Sequence, residues 1–232
     1  MLIEIERRPL LLLLLLLLPL PSSAEGRFPL PFTALYQVTA AGLNIGEMQR
    51  RLWREGDTSH FETEIYTTGL AQLLRPYRYI ERSRWQGEGD ALRADYYEVE
   101  HQGKGIRERE RFEWDQQQLY SERRGVAKQQ PLPAGVVDKQ LYQLLLRRDL
   151  AAGLRQMRYQ VADRGSIKTY AFEVLGEERV QTPFGELQAL RIERGETRFW
   201  CAPSLDYLVV RLTKEEDGKL IEARLQQWQP QP

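Results

Sequence analysis

From Phe32 onward the sequence reads as strands nearly from end to end, and this limits the possible folds more than any other feature. "FTALYQVTA" (32–40) puts Ala34, Tyr36 and Val38 on one face at period two. "EMQRRLWRE" (47–55), "HFETEIYTT" (60–68), "YRYIERSRWQ" (77–86) and "ALRADYYEVEHQ" (91–102) follow, separated by Gly42, Asn44 and Gly46, by Gly56-Asp57, and by Gly87 and Gly89. In "IRERERFEWD" (106–115) Arg107, Arg109 and Arg111 share one face and Glu108 and Glu110 the other. A helix could also use these charges, with Arg107 near Glu110, but the neighbouring runs are strands of matching length. "QLYSERRG" (118–125) ends the first meander. Strands return at 157–163, 168–176, 177–183, 186–194, 196–201, 206–214 and 219–228, with hairpin turns at Phe184-Gly185 and Asp217-Gly218.

Three segments break this pattern. "GLAQLLRPY" (69–77) is a short apolar piece, predicted as a turn of helix at a sheet corner. "VAKQQPLPAGVV" (126–137) is predicted as a connecting loop. "DKQLYQLLLRRDLAAG" (138–153) predicts the principal helix: Asp138 is a suitable N-cap, Leu141, Leu144 and Leu145 form a buried face, and Gly153 stops it. Arg148 interrupts that apolar stripe.

Tyr36, Trp53, Tyr66, Tyr77, Tyr79, Trp85, Tyr96 and Tyr97 sit among arginines and glutamates on both strand faces. That distribution suits a mainly β fold: a single antiparallel, strongly curved sheet or partly open β-barrel with one principal α-helix. A plain sandwich with surface tyrosines is the alternative. One meander alone would leave apolar faces uncovered, so residues 25–232 are expected to form one β-rich domain.

The segment before the first strand has its own logic. Arg7 and Arg8 precede an unbroken run from Leu10 to Leu18, and then come Pro19, Pro21, Ser22, Ser23 and Ala24. This is the order of a secretory signal peptide, residues 1–24, cut after Ala24. The run is shorter than the roughly 20 apolar residues of a span. The mature chain is therefore expected in the periplasm, with no stable transmembrane span. Its one cysteine, Cys201, cannot form an internal disulfide.

Chemical motifs are scarce. The 33 basic and 33 acidic residues cancel, which argues against a nucleic-acid partner. His60 and His101 have no metal-ligand spacing, and neither a phosphate loop nor a serine nucleophile elbow is present, so no metal, no cofactor and no catalytic residue is assigned. Cys201, between Trp200 and Ala202-Pro203, reads as a small buried residue rather than a nucleophile. Carboxylate pairs could be drawn from Glu62, Glu64, Glu81, Glu98, Glu100, Glu108 and Glu110, but cross-strand charge pairing explains the alternation more simply.

The order of landmarks carries a resemblance. It runs "FTALYQVTAAGLNIGEMQRRL", "YTTGLAQLLRPYRYIERSRW", "DKQLYQLLLRRDLAAG", then "YAFEVLGEERVQTPFGELQALRIER" and "TRFWCAPSLDYLVVRL". This resembles the exported bacterial proteins of domain-of-unknown-function family 3108. Cys201 stands where the family pattern suggests an aliphatic residue, and Tyr207–Val210 lacks an expected proline. The resemblance implies an envelope protein rich in antiparallel β-structure and assigns no activity.

The leading functional expectation is a non-enzymatic protein binding a lipid or other amphipathic envelope component between sheet and helix. Tyr36, Trp53, Tyr79, Trp85, Tyr97, Phe112 and Trp114 are its candidate lining, although each also reads as ordinary core. The alternative is a structural or interaction module in envelope assembly, with an envelope protein as partner. It would show an exposed apolar patch or an uncovered edge strand. A hydrolase ranks third.

Overall fold

The computed structural model describes residues 28–102, 105–216 and 218–231. The signal-peptide segment, residues 1–24, lies outside them. Strands β1 (Phe32–Ala40), β2 (Leu43–Glu55), β3 (Thr58–Thr67), β4 (Arg78–Gln86), β5 (Arg93–Gln102), β6 (Ile106–Glu113), β7 (Gln118–Arg123) and β8 (Val126–Pro131) make the first half. The second half holds β9 (Val136–Val137), β10 (Gln156–Asp163), β11 (Ser166–Thr182), β12 (Gly185–Arg194), β13 (Thr197–Ala202), β14 (Leu208–Glu216) and β15 (Lys219–Pro230). Two α-helices join them: α1 (Gly69–Leu74) between β3 and β4, and α2 (Leu141–Ala151) between β9 and β10.

All fifteen strands belong to one sheet, ordered β8-β7-β6-β5-β4-β3-β2-β1-β15-β14-β13-β12-β11-β10-β9. The chain's first and last strands pair at the centre, from Phe32↔Pro230 to Ala40↔Ile221, so each half grows outward from a shared seam. The sheet is not closed by a ladder between β8 and β9. Even so, its two ends touch: Lys128 Nζ on β8 donates to the Gly165 carbonyl in the β10–β11 turn (2.7 Å).

The expectation of a purely antiparallel sheet needs correction. β9 pairs with β10 in parallel, Gln160↔Val136 and Val161↔Val137. Parallel neighbours require a crossover, and α2 supplies it. A second correction concerns 126–137. Val126–Pro131 is a strand with most of its side chains exposed, so neither face shows the apolar alternation that marks a strand in sequence. Its proline is tolerated because β8 is an edge. A third is that 168–176 and 177–183 form one long strand, β11, broken only by a register shift between Val174 and Gly176.

α2 starts at Leu141, three residues after the predicted start, with Gln140 in the N-cap place, and Asp138 ties down the turn that leads into it. The Asp138 carboxylate accepts from the Gln140 and Leu141 backbone N–H groups (both 2.8 Å), and its carbonyl receives Tyr142 N–H (3.3 Å). Seven of the eleven residues of α2 are buried, on more than one face, which places the helix within the core rather than on it. Leu141, Leu144, Leu146 and Leu150 are fully enclosed. Tyr142 packs against Tyr170 and Phe172, with ring centroids 5.2 and 5.4 Å away.

Arg147 is the buried cation of α2. Its guanidinium lies 4.9 Å from the Phe32 ring centroid and donates to the Asp206 carbonyl (2.9 Å) and carboxylate (3.1 Å). Asp206 and Tyr207 both adopt left-handed backbone (φ 52° and 53°), so Arg147 holds down a strained turn after Pro203–Leu205. Tyr36 on β1 donates to the Val209 carbonyl on β14 (2.9 Å), past the intervening β15.

Candidate functional site

The most chemically loaded part of the interior comes from the "RERERF" of β6. Arg107, Arg109 and Arg111 point outward, while Glu108 and Glu110 point inward with Phe112. On the outer face the arginines and glutamates of neighbouring strands pair, as in Arg109 with Glu98 (3.2 Å) and Arg82 with Glu62 (2.7 Å). The inner carboxylates have no such lattice. Glu108 is held by Arg123 (2.5 Å). Glu110 receives only a long hydrogen bond from Gly165 N–H (3.4 Å), and its second oxygen is buried without a partner. The hydroxyl of Ser121, its cross-strand neighbour, is likewise buried and unpartnered.

Other acids converge from elsewhere. Glu81 on β4 accepts from Tyr97 Oη (2.5 Å), and Asp138 accepts from Ser83 Oγ (2.6 Å). Lys139 lies 5.4 Å from the Tyr97 ring centroid and 3.7 Å from Asp163, which also pairs with Lys168 (2.6 Å). Burial raises the Glu110 carboxyl to about 8, because one weak backbone hydrogen bond and the Lys139 charge do not offset the loss of water. Burial also raises Asp138, to about 6, against hydrogen bonds from Ser83, Leu141 and Gln140. For Asp163 burial acts upward too, but the Lys168 hydrogen bond and the charges of Lys139, Lys168 and Arg164 prevail and lower it. Among the described residues no group of three or more His, Cys, Asp or Glu side chains is placed to hold a metal ion.

The sequence names Glu81, Glu108 and Glu110 among its possible carboxylate pairs but reads them as cross-strand charge pairs; the inward cluster with Asp138 is not foreseen, yet one signal for it is present. Phe112 shares the parity of Glu108 and Glu110, so a strand that buries Phe112 must also bury both glutamates.

Of the seven aromatic residues considered as a ligand lining, only Trp53 and Trp85 line any of the hollows of about 310, 490 and 610 Å³. Tyr36, Trp85, Tyr97 and Phe112 are core. Tyr79 is half-buried, edge-on to His101. Trp53 stacks on His60 (4.9 Å) and bonds Glu55 (2.9 Å), and Trp114 stacks on Phe112 (6.3 Å) and bonds the Ala94 carbonyl (2.7 Å). Trp53 and Trp85 line the hollow of about 310 Å³ beside Phe28–Pro31. None of the hollows of about 310, 490 and 610 Å³ is lined by a residue of α2. Cys201 is fully buried, and burial pushes its thiol up to about 12.

A different surface stands out at the end of the sheet that carries the β1–β2 turn, α1 and the β14–β15 turn. These connections are linked: Ala41 N–H donates to the Leu220 carbonyl (3.0 Å), and Thr68 N–H to the Ile45 carbonyl (3.2 Å). On α1, Leu70, Leu73 and Leu74 are 77%, 80% and 86% exposed, and no residue of that helix is buried. Leu43 on β2 and Leu220 on β15, 72% and 49% exposed, lie at the same end of the sheet. The hollow of about 490 Å³ adjoins this end, lined by Tyr66, Thr68, Gln72, Pro76 and Tyr77 among others.

Fold and surface together define a mainly β protein built on one open sheet, with its interior occupied by its own helix. The chain belongs to the family described as protein of unknown function DUF3108, whose model matches residues 35–224. Among solved structures it is similar to a β-barrel-like protein of domain of unknown function DUF1849 from Brucella abortus. The identity is 11%, the TM-score 0.50, and the match covers 88% of this chain and 98% of that one. At that identity the likeness concerns the fold. No curated protein matches the chain.

Proposed function

We propose that this is an exported, periplasmic, non-enzymatic protein of the cell envelope, whose sheet works as a strongly curved, partly open barrel. It binds a lipid or other amphipathic envelope component at the end bearing α1, not between sheet and helix. The observation that carries this reading is α1 itself: three leucines more than three-quarters exposed on a helix that buries nothing. Contiguous apolar surface of this kind marks interaction sites, whereas scattered single residues do not. The α2 side chains already occupy the space in which an internal ligand would sit.

Flotation of the mature chain with phospholipid vesicles tests the reading. Wild type should float, and a Leu73→Asp/Leu74→Asp double variant should lose at least about tenfold in binding, since each leucine withdrawn from apolar contact is worth roughly 1.5–3 kcal/mol. Equal binding by both would refute it. The edge of β8, which pairs with no further strand and where Val126 is 71% exposed, favours a second reading, an envelope-assembly module that adds a partner's strand there. Lys128 and Pro131 on that strand are the kind of residues that discourage such pairing, so this reading ranks second.

A further inference from the structure

On its outer face the first half of the sheet carries two neighbouring cross-strand rows of unlike chemistry. One runs Arg51↔Glu62↔Arg82↔Glu98↔Arg109↔Glu122, from β2 to β7. Its charges alternate and pair with one another: Arg82 reaches Glu62 (2.7 Å) and Glu98 (3.6 Å), and Arg109 reaches Glu98 (3.2 Å). The other runs Trp53↔His60↔Arg84↔Tyr96↔Arg111↔Tyr120↔Gln129, from β2 to β8, and holds no carboxylate. Phe61, Trp85, Tyr97, Phe112 and Leu119, each next in sequence to a member of this row, are core, so the row faces away from the core.

Rings and guanidinium groups alternate along the second row. Trp53 stacks on His60 (4.9 Å between centroids), the Arg84 guanidinium lies 5.5 Å from the Tyr96 ring centroid, and that of Arg111 lies 5.2 Å from Tyr120. The row ends in the hollow of about 610 Å³ over β5–β8, lined by Tyr96, Arg109, Arg111, Tyr120, Glu122 and Gln129 among others. Arg84 is engaged by Asp95 (2.6 Å) and Arg109 by Glu98. Arg111 differs: its side chain is 60% exposed, and its ion-pair partner Glu113, at 3.8 Å, stands beyond hydrogen-bond reach. The hollow therefore offers a guanidinium with donors to spare, midway between two half-buried tyrosine rings.

We propose that this hollow binds an acidic oligosaccharide, with sugar rings on Tyr96 and Tyr120 and a carboxylate or phosphate substituent on Arg111. The C–H face of a pyranose suits the negative face of an aromatic ring. A planar guanidinium takes a carboxylate or phosphate through two parallel hydrogen bonds. The two tyrosines stand two strands apart, about 10 Å by strand spacing, so ring, charge and ring follow one line. Gln129 ends that line with an amide that both donates and accepts, as sugar hydroxyls require. Single-stranded nucleic acid also stacks on rings, but it needs a basic groove for its backbone, and here the adjoining row is neutralised by its own glutamates. The site is separate from the surface at α1: Arg111 approaches the β6–β7 turn, at the opposite end of the strands from the β3–β4 connection that holds α1.

Titration calorimetry of the mature chain with hexagalacturonate, neutral maltohexaose and a thymidine hexanucleotide tests this. Hexagalacturonate should bind, and the other two should bind much more weakly. Arg111→Ala should weaken hexagalacturonate at least about tenfold, as expected of a lost charge-assisted hydrogen bond. Tyr120→Ala should weaken it several-fold, and Leu73→Asp/Leu74→Asp should bind it as wild type does. No binding of hexagalacturonate, equal binding by Arg111→Ala, or equal or tighter binding of maltohexaose or the hexanucleotide overturns the proposal. Should the variants fail to fold, amide shifts of the wild-type chain decide: hexagalacturonate should move residues 96, 111 and 120, and shifts confined to other residues would overturn it.

Discussion

The two helices are alike in composition and opposite in environment. α1 reads "GLAQLL" and α2 begins "LYQLLL". Every leucine of α2 is buried, whereas all three of α1 are exposed. The difference comes from their connections. α2 is the crossover between two parallel strands, so the chain must carry it across a face of the sheet, where its leucines join the same core as Phe172 and Ile192. α1 only joins adjacent antiparallel strands at a sheet end, where a shorter turn would serve. The exposed leucines of α1 are what the proposed function rests on.

The largest effects that could break this comparison lie in α2. Leu144→Ala or Leu146→Ala should cost about 2–5 kcal/mol in chemical denaturation, the range for enclosed leucines. Leu73→Ala on α1 should stay within about 0.5 kcal/mol while still weakening vesicle binding. A large stability loss at Leu73 would show that α1 is structural after all.

The polar end of α2 predicts a pH dependence. Asp138 and Glu110 are both raised by burial, to about 6 and about 8, so each stabilises the fold most when protonated. Stability should therefore decline as pH rises from about 4 to 8, by linkage. Asp138→Asn should flatten the acidic part of that decline and Glu110→Gln the neutral part. A urea midpoint that rises over this interval would contradict both assignments. A smaller effect is expected from Tyr97→Phe, which removes the hydrogen bond to Glu81 and should cost about 1–3 kcal/mol at most. The least effect concerns Cys201, whose enclosed thiol should not react with a thiol reagent until the protein unfolds.

Much of this architecture was legible in the residues. Period-two runs located the strands, and Asp138 with the leucine spacing located α2. β8 was not legible, because an exposed edge strand carries no apolar alternation and "VAKQQP" looks like a loop. The parallel β9–β10 pair was hidden as well, since β9 is only two residues long. Aromatic residues are an ambiguous signal for a ligand lining: they are large enough to be core in any β fold, and four of the seven are core here. The leucines of "GLAQLLRPY" were visible as an apolar piece, but whether such a piece is covered depends on what the rest of the sheet places over it.

The central claim, that binding occurs at the α1 end and not within the helix-filled interior, is tested most directly by hydrogen exchange of the mature chain with and without phospholipid vesicles. The account predicts added protection at 43–46 and 69–74 and no change in 141–151. Protection gained in 141–151, with none at 69–74, would place the ligand inside and contradict it.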